Sequence, residues 1–450
     1  MNRYRAACAL VLGASIACAQ PVQAESLQGA LAKAYQTSPD LRDSRASLRA
    51  VDEGIAQALS GWRPTIGITG SGGVGHADTN QIKNQTLLPL NGAFEIVQPV
   101  YTGGETEASI RQADNQILSA RARLRSTEQA VLLDGVSAYM DVLRDQGRLE
   151  LNINNEQVLQ RQREATQDRF DVGEVTRTDV AQAEARLSRA SADRIQAQGV
   201  LAVSKATYER VIGEAPSDLE AAPPLPELPA SLQEALNIGL AENPDIVSAT
   251  HNERAAGDAV DVAFSDLLPR VDVQGRVSGN HENSLEDVHG SNATLLARVT
   301  IPIYQSGVEY SRVREAKERR NQFRIQVEQA RRQVVEAVTQ AWEVLTTTRS
   351  NIEARRESVR ANEIALEGVR EEASVGSRTT LDVLDAEQEL LDARVALVDA
   401  ERDEYVAGYT LLSAIGRLAV ARIGVPVEEY DPAPHYNKVR EAYWGLEPID

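Results

Sequence analysis

The chain has 450 residues with 47 basic and 66 acidic side chains, and its formal net charge of −19 argues against nucleic-acid binding and against a polybasic lipid anchor. Aromatic residues make up 4% and the mean hydropathy is −0.33, which suits long, thin helical assemblies better than a globule.

Arg3 and Arg5 precede an apolar run from Ala6 to Ala19, and Val22-Gln23-Ala24 supplies the cleavage-determining residues. Residues 1–24 are therefore predicted to be a secretory signal peptide, with the mature chain starting at Glu25. Lipidation at Cys18 is the alternative, disfavoured because Ser15 stands where a lipobox wants Leu, Val or Ile. Removing Arg3 and Arg5 takes the net charge from −19 to −21, and removing Cys8 and Cys18 excludes a disulfide, a thiolate zinc site or a cysteine nucleophile. No later apolar run reaches the roughly 18 residues of a membrane helix. An exported chain of this kind is either soluble or crosses a membrane as a closed barrel.

The mature sequence is an internal repeat. Ser26-Leu27-Gln28, Ala30-Leu31, Pro39-Asp40 and Pro64 recur at an offset of 205 as Ser231-Leu232-Gln233, Ala235-Leu236, Pro244-Asp245 and Pro269. Val172-Gly173, Asp179-Val180, Ala183-Glu184 and Leu187 recur at 203 as Val375-Gly376, Asp382-Val383, Ala386-Glu387 and Leu390. The predicted organisation is a first repeat over 25–222, a Pro-rich linker over 223–230, a second repeat over 231–424 and an irregular tail over 425–450.

Each repeat is expected to open with one helix, Leu27 to Ser60 and Leu232 to Ser265. Alternating strands follow around Ile66 and Ile68, Phe94 and Ile96, Val271 to Ser278 and Leu295 to Ile301, with exposed loops at Gly70 to Asn91 and Gly279 to Asn292. Taken alone, such strands fit a soluble β protein better than a barrel. Export and the duplicated two-strand insert raise the membrane reading, in which four strands cannot close and the chain must oligomerise. The stretches Glu105 to Asp171 and Val308 to Ala373 are predicted helices on the order of 100 Å long. Val338, Leu345, Ile352, Val359 and Leu366 form a heptad seam, with Arg349 and Arg356 at its other nominal position.

The long helices turn at Val172-Gly173-Glu174 and Val375-Gly376-Ser377, and shorter helices return. Thr176 and Thr379 precede Asp179 and Asp382 at capping-box spacing, so the plain role of those acids is capping. Asp385 has no such explanation. It shares a helix face with Asp382, turned away from the seam of Leu384, Leu391, Val398, Tyr405 and Leu412. In the first repeat Asp385 is matched by Gln182, so only the second turn is doubly acidic.

The duplicated plan, Gln98-Pro99-Val100-Tyr101, Ile301-Pro302-Ile303-Tyr304, and above all the run from Val375 to Ala386 resemble the TolC-type outer-membrane factors of Gram-negative export systems. The resemblance covers nearly all of the mature chain. It implies a mostly α fold with a β-barrel portion: a trimer with four transmembrane strands per protomer in a twelve-stranded barrel, continued by an antiparallel coiled-coil tunnel across the periplasm. It implies acidic gate rings at Asp382 and Asp385, a latch of Arg378 with Asp179 and Thr178, and adaptor docking at Val172, Gly173 and Glu174 and at Val375, Gly376 and Ser377. Ala373 departs from a tyrosine that supports the latch in the family's namesake. The implied partners are two further copies, outer-membrane lipid, a periplasmic adaptor and an inner-membrane ABC or proton-driven pump.

The function expected is a passive exit duct without cofactor, metal or catalysis, with type I protein secretion favoured because the tail from Tyr430-Asp431-Pro432 to Leu446 resembles those of members serving that route. Multidrug or small-molecule efflux is the alternative, and a structural coiled-coil or adhesion protein is the competitor of another class. Five scattered histidines and no metal or nucleotide motif leave an enzyme little support.

Overall fold

Two prolines decide how each half begins. The computed structural model describes residues 24–78, 80, 84–283 and 287–449, so the predicted signal peptide lies outside the described residues. Where one opening helix was expected per half there are two: α1 (Leu27–Thr37) and α2 (Pro39–Leu59), then α5 (Leu232–Glu242) and α6 (Pro244–Ser265). Pro39 and Pro244 push Ser38 and Asn243 out of helical geometry, to ψ of 123° and 126°. Both displaced residues then cap the next helix: Ser38 Oγ accepts from Leu41 N–H at 3.4 Å and Asn243 Oδ1 from Asp245 N–H at 2.9 Å. The break lets α1 fold onto the long helix α3 (Glu105–Asp171) and α5 onto its counterpart α7 (Val308–Ser374).

Strands β1 (Thr65–Gly72), β4 (Leu90–Tyr101), β5 (Arg270–His281) and β6 (His289–Thr300) form one antiparallel sheet in the order β1-β4-β5-β6. The first expected loop carries a ribbon of its own, β2 (Gly75–Ala77) with β3 (Gln85–Leu87), and β5 and β6 run further into the second expected loop than the alternation foretold.

Each long helix has 67 residues and starts after a left-handed glycine, Gly104 at φ 85° or Gly307 at φ 83°. The returning helices are α4 (Arg177–Ile212) and α8 (Thr380–Ala414), paired along α3 and α7 respectively. The seams hold: Val338, Leu345, Ile352 and Leu366 are buried against a face of α8 that buries Leu384, Leu391, Tyr405 and Leu412, while Val359 and Val398 are half-buried. Arg349 and Arg356 reach across to Glu404 at 3.1 Å and Glu401 at 3.7 Å, which accounts for arginine at a nominal seam position. The tail, expected to be irregular, carries α9 (Ala433–Glu441).

The main core lies midway along the long helices, where α1, α5, the linker and the C-terminal ends of α4 and α8 wrap around them. Leu31, Tyr139, Tyr208, Ile212, Val338 and Ile415 are fully buried there. Tyr139 joins distant segments: its hydroxyl lies 2.8 Å from the Glu25 carbonyl and 2.7 Å from that of Glu220. Tyr405 does the same for the linker, donating to the Pro223 carbonyl at 2.8 Å. Tyr139→Phe removes the hydroxyl bond to the Glu220 carbonyl, while the Glu25 carbonyl keeps the Glu220 amide at 3.0 Å, and is expected to cost about 1–3 kcal/mol, read as a lower thermal midpoint in detergent; an unchanged midpoint would show the belt is held by packing alone.

Candidate functional site

Register gives the sheet two different faces. Residues opposite one another share a face, so the pairings Ile66↔Ile96, Ile68↔Phe94, Phe94↔Val277, Val273↔Ala297 and Val271↔Val299 gather one apolar surface. The other face pairs Glu95 with Arg276 and Asp272 with Arg298. Ile68 is 83% and Leu295 80% exposed, so within one chain this apolar surface is uncovered. Among the described residues no helix is long and apolar enough to cross a membrane. The outer edges of β1 and β6 have no partner strand among the described residues.

At the far end the two turns repeat one geometry. Gly173 and Gly376 take φ of 83° and 78°, a conformation that glycine adopts without strain, and Glu174 and Ser377 donate to the carbonyls of Arg169 at 2.8 Å and Glu372 at 2.9 Å. The bond spanning six residues is the Schellman closure. Val172 and Val375 stand exposed at the tips. Arg169 pairs with Glu174 at 3.2 Å in the first turn and Arg378 with Glu372 at 2.8 Å in the second.

The next turn of each copy is a complete capping box. The Thr176 amide and hydroxyl donate to Asp179 Oδ2 at 2.8 and 2.7 Å, while the Asp179 amide returns to Thr176 Oγ1 at 3.3 Å. Thr379 and Asp382 do the same at 2.9, 2.8 and 3.3 Å. The Thr379 bonds, amide first and then hydroxyl, hold the Asp382 carboxyl below the usual range, with Arg378 adding to the effect. The hydroxyl and amide of Thr176 hold Asp179 down likewise. Thr178 is exposed beside Asp179.

Two expectations change here. Within one chain Arg378 is not paired with Asp179: each is satisfied inside its own turn, by Glu372 and by Thr176. Asp385, which had no structural explanation, accepts a bond from Arg186 Nη2, tying α8 to α4. Sequence reasoning missed Arg186, although a signal existed. It lies one helical turn beyond Gln182, the repeat counterpart of Asp385.

Above the tips a second polar cluster went unread. Arg148 meets Asp399 at 2.6 Å and Arg402 meets Asp141 at 2.9 Å, crossing from α3 to α8, while Arg144 grips the buried Asp145 at 2.8 Å. Burial pushes the Asp145 carboxyl up, but bonds from Arg144 and Ser204 outweigh it and hold the group below its ordinary value.

A sheet with one exposed apolar face, carried by two 67-residue helices each about 100 Å long, fits a channel-type outer-membrane transport protein. The family model described as "Outer membrane efflux protein" matches residues 30–214 and 235–417, and the chain belongs to that family. It is 36% identical over 445 residues to the outer membrane efflux protein BepC of Brucella suis, covering 99% of this chain and 97% of BepC. It is 26% identical over 324 residues to the alkaline protease secretion protein AprF of Pseudomonas aeruginosa, covering 70% of this chain and 67% of AprF. Among solved structures, CusC superposes with a TM-score of 0.78 at 19% identity, covering 87% of this chain and 92% of that chain, which shows the same fold. The protein is thus an outer-membrane channel with its tunnel in the periplasm, and the family is one of transport proteins.

Thr379→Ala removes one side of a capping box, worth about 1 kcal/mol, and is expected to speed amide exchange about fivefold over the first turn of α8, from Leu381 to Leu384. In the parent chain this protection depends on ionised Asp382. A carboxyl lowered on folding stabilises fully above its unfolded value of about 3.9 and loses that contribution as pH falls through the lower folded value. Exchange at pH 5 should therefore match that at pH 7 once corrected for intrinsic rate; early loss of protection near pH 5 would contradict the cap.

Proposed function

We propose that three copies join their sheets edge to edge into a twelve-stranded barrel and serve as the passive exit duct of a tripartite export machine. The observation that carries this reading is the four-stranded sheet with one apolar face and two open edges. Lipid does not tolerate open edges, and about eight strands are the fewest that close. Three-fold symmetry then brings the tips of α4 and α8 around one axis. The tips become the constriction, with Asp382 and Asp385 as its acidic rings.

Arg378 and Asp179, each held inside one chain by a local partner, form the latch when they exchange Glu372 and Thr176 for one another as copies meet, with Thr178 alongside. The turns Val172-Gly173-Glu174 and Val375-Gly376-Ser377 dock the periplasmic adaptor, and an ABC or proton-driven pump supplies the energy. Exposed Val172 and Val375 at the tips suit helix-tip packing.

The named activities of AprF and of the proteases secretion protein PrtF of Dickeya chrysanthemi support protein secretion as the cargo. BepC, an efflux protein by name, aligns over 99% of the chain and so includes the tail, which favours small-molecule efflux as the second reading. Loss of the gene separates them: failure to secrete a protein supports the first, and sensitivity to drugs with secretion intact supports the second.

In planar bilayers the wild-type channel is expected to be blocked by multivalent cations such as hexamminecobalt, and Asp382→Ala with Asp385→Ala to relieve that block at least tenfold, with a tenfold change equal to about 1.4 kcal/mol. Unchanged block in the double variant would sink the acidic-ring assignment. Arg378→Ser should raise single-channel conductance if the latch holds the tips closed, and an unaltered conductance would remove Arg378 from that role.

A further inference from the structure

The C-terminal tail is pinned to the upper part of the molecule. Val439 of α9 is fully buried with Ile55 of α2 and with Ala113 and Ile117 of α3. His435 Nδ1 lies 2.7 Å from Asp52 Oδ2, and the Tyr436 hydroxyl donates to Asp114 Oδ1 at 2.7 Å. These contacts fix a direction. From His435 to Tyr443 the tail's neighbour moves from Asp52 on α2 to Arg63, past the end of that helix, whose guanidinium carbon lies 4.2 Å from the centroid of the Tyr443 ring. The tail therefore climbs beside α2 toward the strands, and Arg63 stands just before β1 begins at Thr65.

Past that point the chain reverses, and Ile449 packs back onto the cluster that holds Val439. Tyr443-Trp444-Gly445-Leu446 is thus a loop tip held at both ends, not a frayed terminus. Among the described residues Trp444 and Leu446 are nonetheless the two most water-exposed large apolar side chains, at 92% and 104%, with Tyr443 beside them at 72%. The tip also stands near the base of the strands. Gln98 shares a face of β4 with Phe94 and Ile96 by alternation, and its amide donates to the Trp62 carbonyl at 3.0 Å, on the turn that carries Arg63.

Tyr and Trp pair an apolar ring with one polar atom, which places them at membrane–water boundaries. We propose that the Tyr443–Leu446 tip is an interfacial anchor, inserting Trp444 and Leu446 into the boundary between headgroups and acyl chains at the base of the strands. This rests on the reading of the apolar sheet face as lipid-facing. The anchor couples the depth of the barrel in the membrane to α2 and α3, a rigid route from lipid into the tunnel wall.

The test uses the matured full chain, in which no native cysteine is expected, carrying Leu446→Cys with a nitroxide label and reconstituted in phosphatidylethanolamine and phosphatidylglycerol vesicles. Collision with oxygen, which concentrates in lipid, is compared with collision with a water-soluble nickel chelate. The oxygen-to-nickel ratio at position 446 is expected to exceed several-fold that of a label on exposed Glu428 and to approach that of a label at Ile68→Cys. A water-like ratio at 446 with a lipid-like ratio at 68 overturns the anchor and leaves the barrel reading intact. A water-like ratio at 68 overturns the barrel reading itself. A label at 446 shielded from both reagents would mean that a second copy covers the tip, which also overturns the anchor. Independently, quenching of tryptophan fluorescence by bromolipid should fall in Trp444→Phe, and equal quenching with and without Trp444 would count against insertion.

Discussion

Everything in this molecule depends on satisfying the backbone groups of a sheet placed in an apolar solvent. An unpaired N–H or C=O costs several kcal/mol in hydrocarbon, and the outer edges of β1 and β6 each present a row of them. On the proposed reading the apolar face meets lipid while the open edges cannot, and pairing with further copies resolves that conflict. In the proposed assembly the rest of the chain follows from the closure: long helices hang from each strand pair, and the symmetry that closes the sheet would bring their distal turns to a common axis.

At those turns the chain economises on free charge. Asp179 and Asp382 are occupied as helix caps, Arg378 is held by Glu372, and Asp385 is held by Arg186. In the proposed latch, opening a tip is an exchange of partners, not the creation of bare charges, and exposed pairs of this kind exchange at little cost. The Asp141, Asp145, Asp399 network higher up is different in kind because Asp145 is buried, and breaking it would strand a charge. Rigid staves above and exchangeable pairs below suit a structure that moves only at its end.

Much of the fold was legible in the sequence because duplication wrote it twice. The repeat aligned both turns, both strand pairs and both long helices, and the heptad from Val338 to Leu366 located a buried seam. Local features whose cause is a single residue were harder to place. Pro39 and Pro244 split helices that periodicity alone joins, and α9 formed where Pro432 and Pro434 suggested irregular chain, since proline is welcome in a first helical turn. Side-chain partners were least legible. The bond between Arg186 and Asp385 joins residues 199 apart in sequence, and its one sequence signal, Arg186 standing a helical turn beyond the repeat counterpart of Asp385, is indirect. The capping boxes, whose partners lie three residues apart, could be read directly.

The most direct test of closure between copies is a disulfide scan across the two open edges, with one cysteine on β1 between Thr65 and Thr69 and one on β6 between Ala293 and Ala297. These edges lie on opposite sides of the sheet, so no single chain can join them. Oxidation in intact outer membranes should give a ladder that stops at a covalent trimer. A product confined to monomer or dimer, or a ladder running past three, would contradict the twelve-stranded closure.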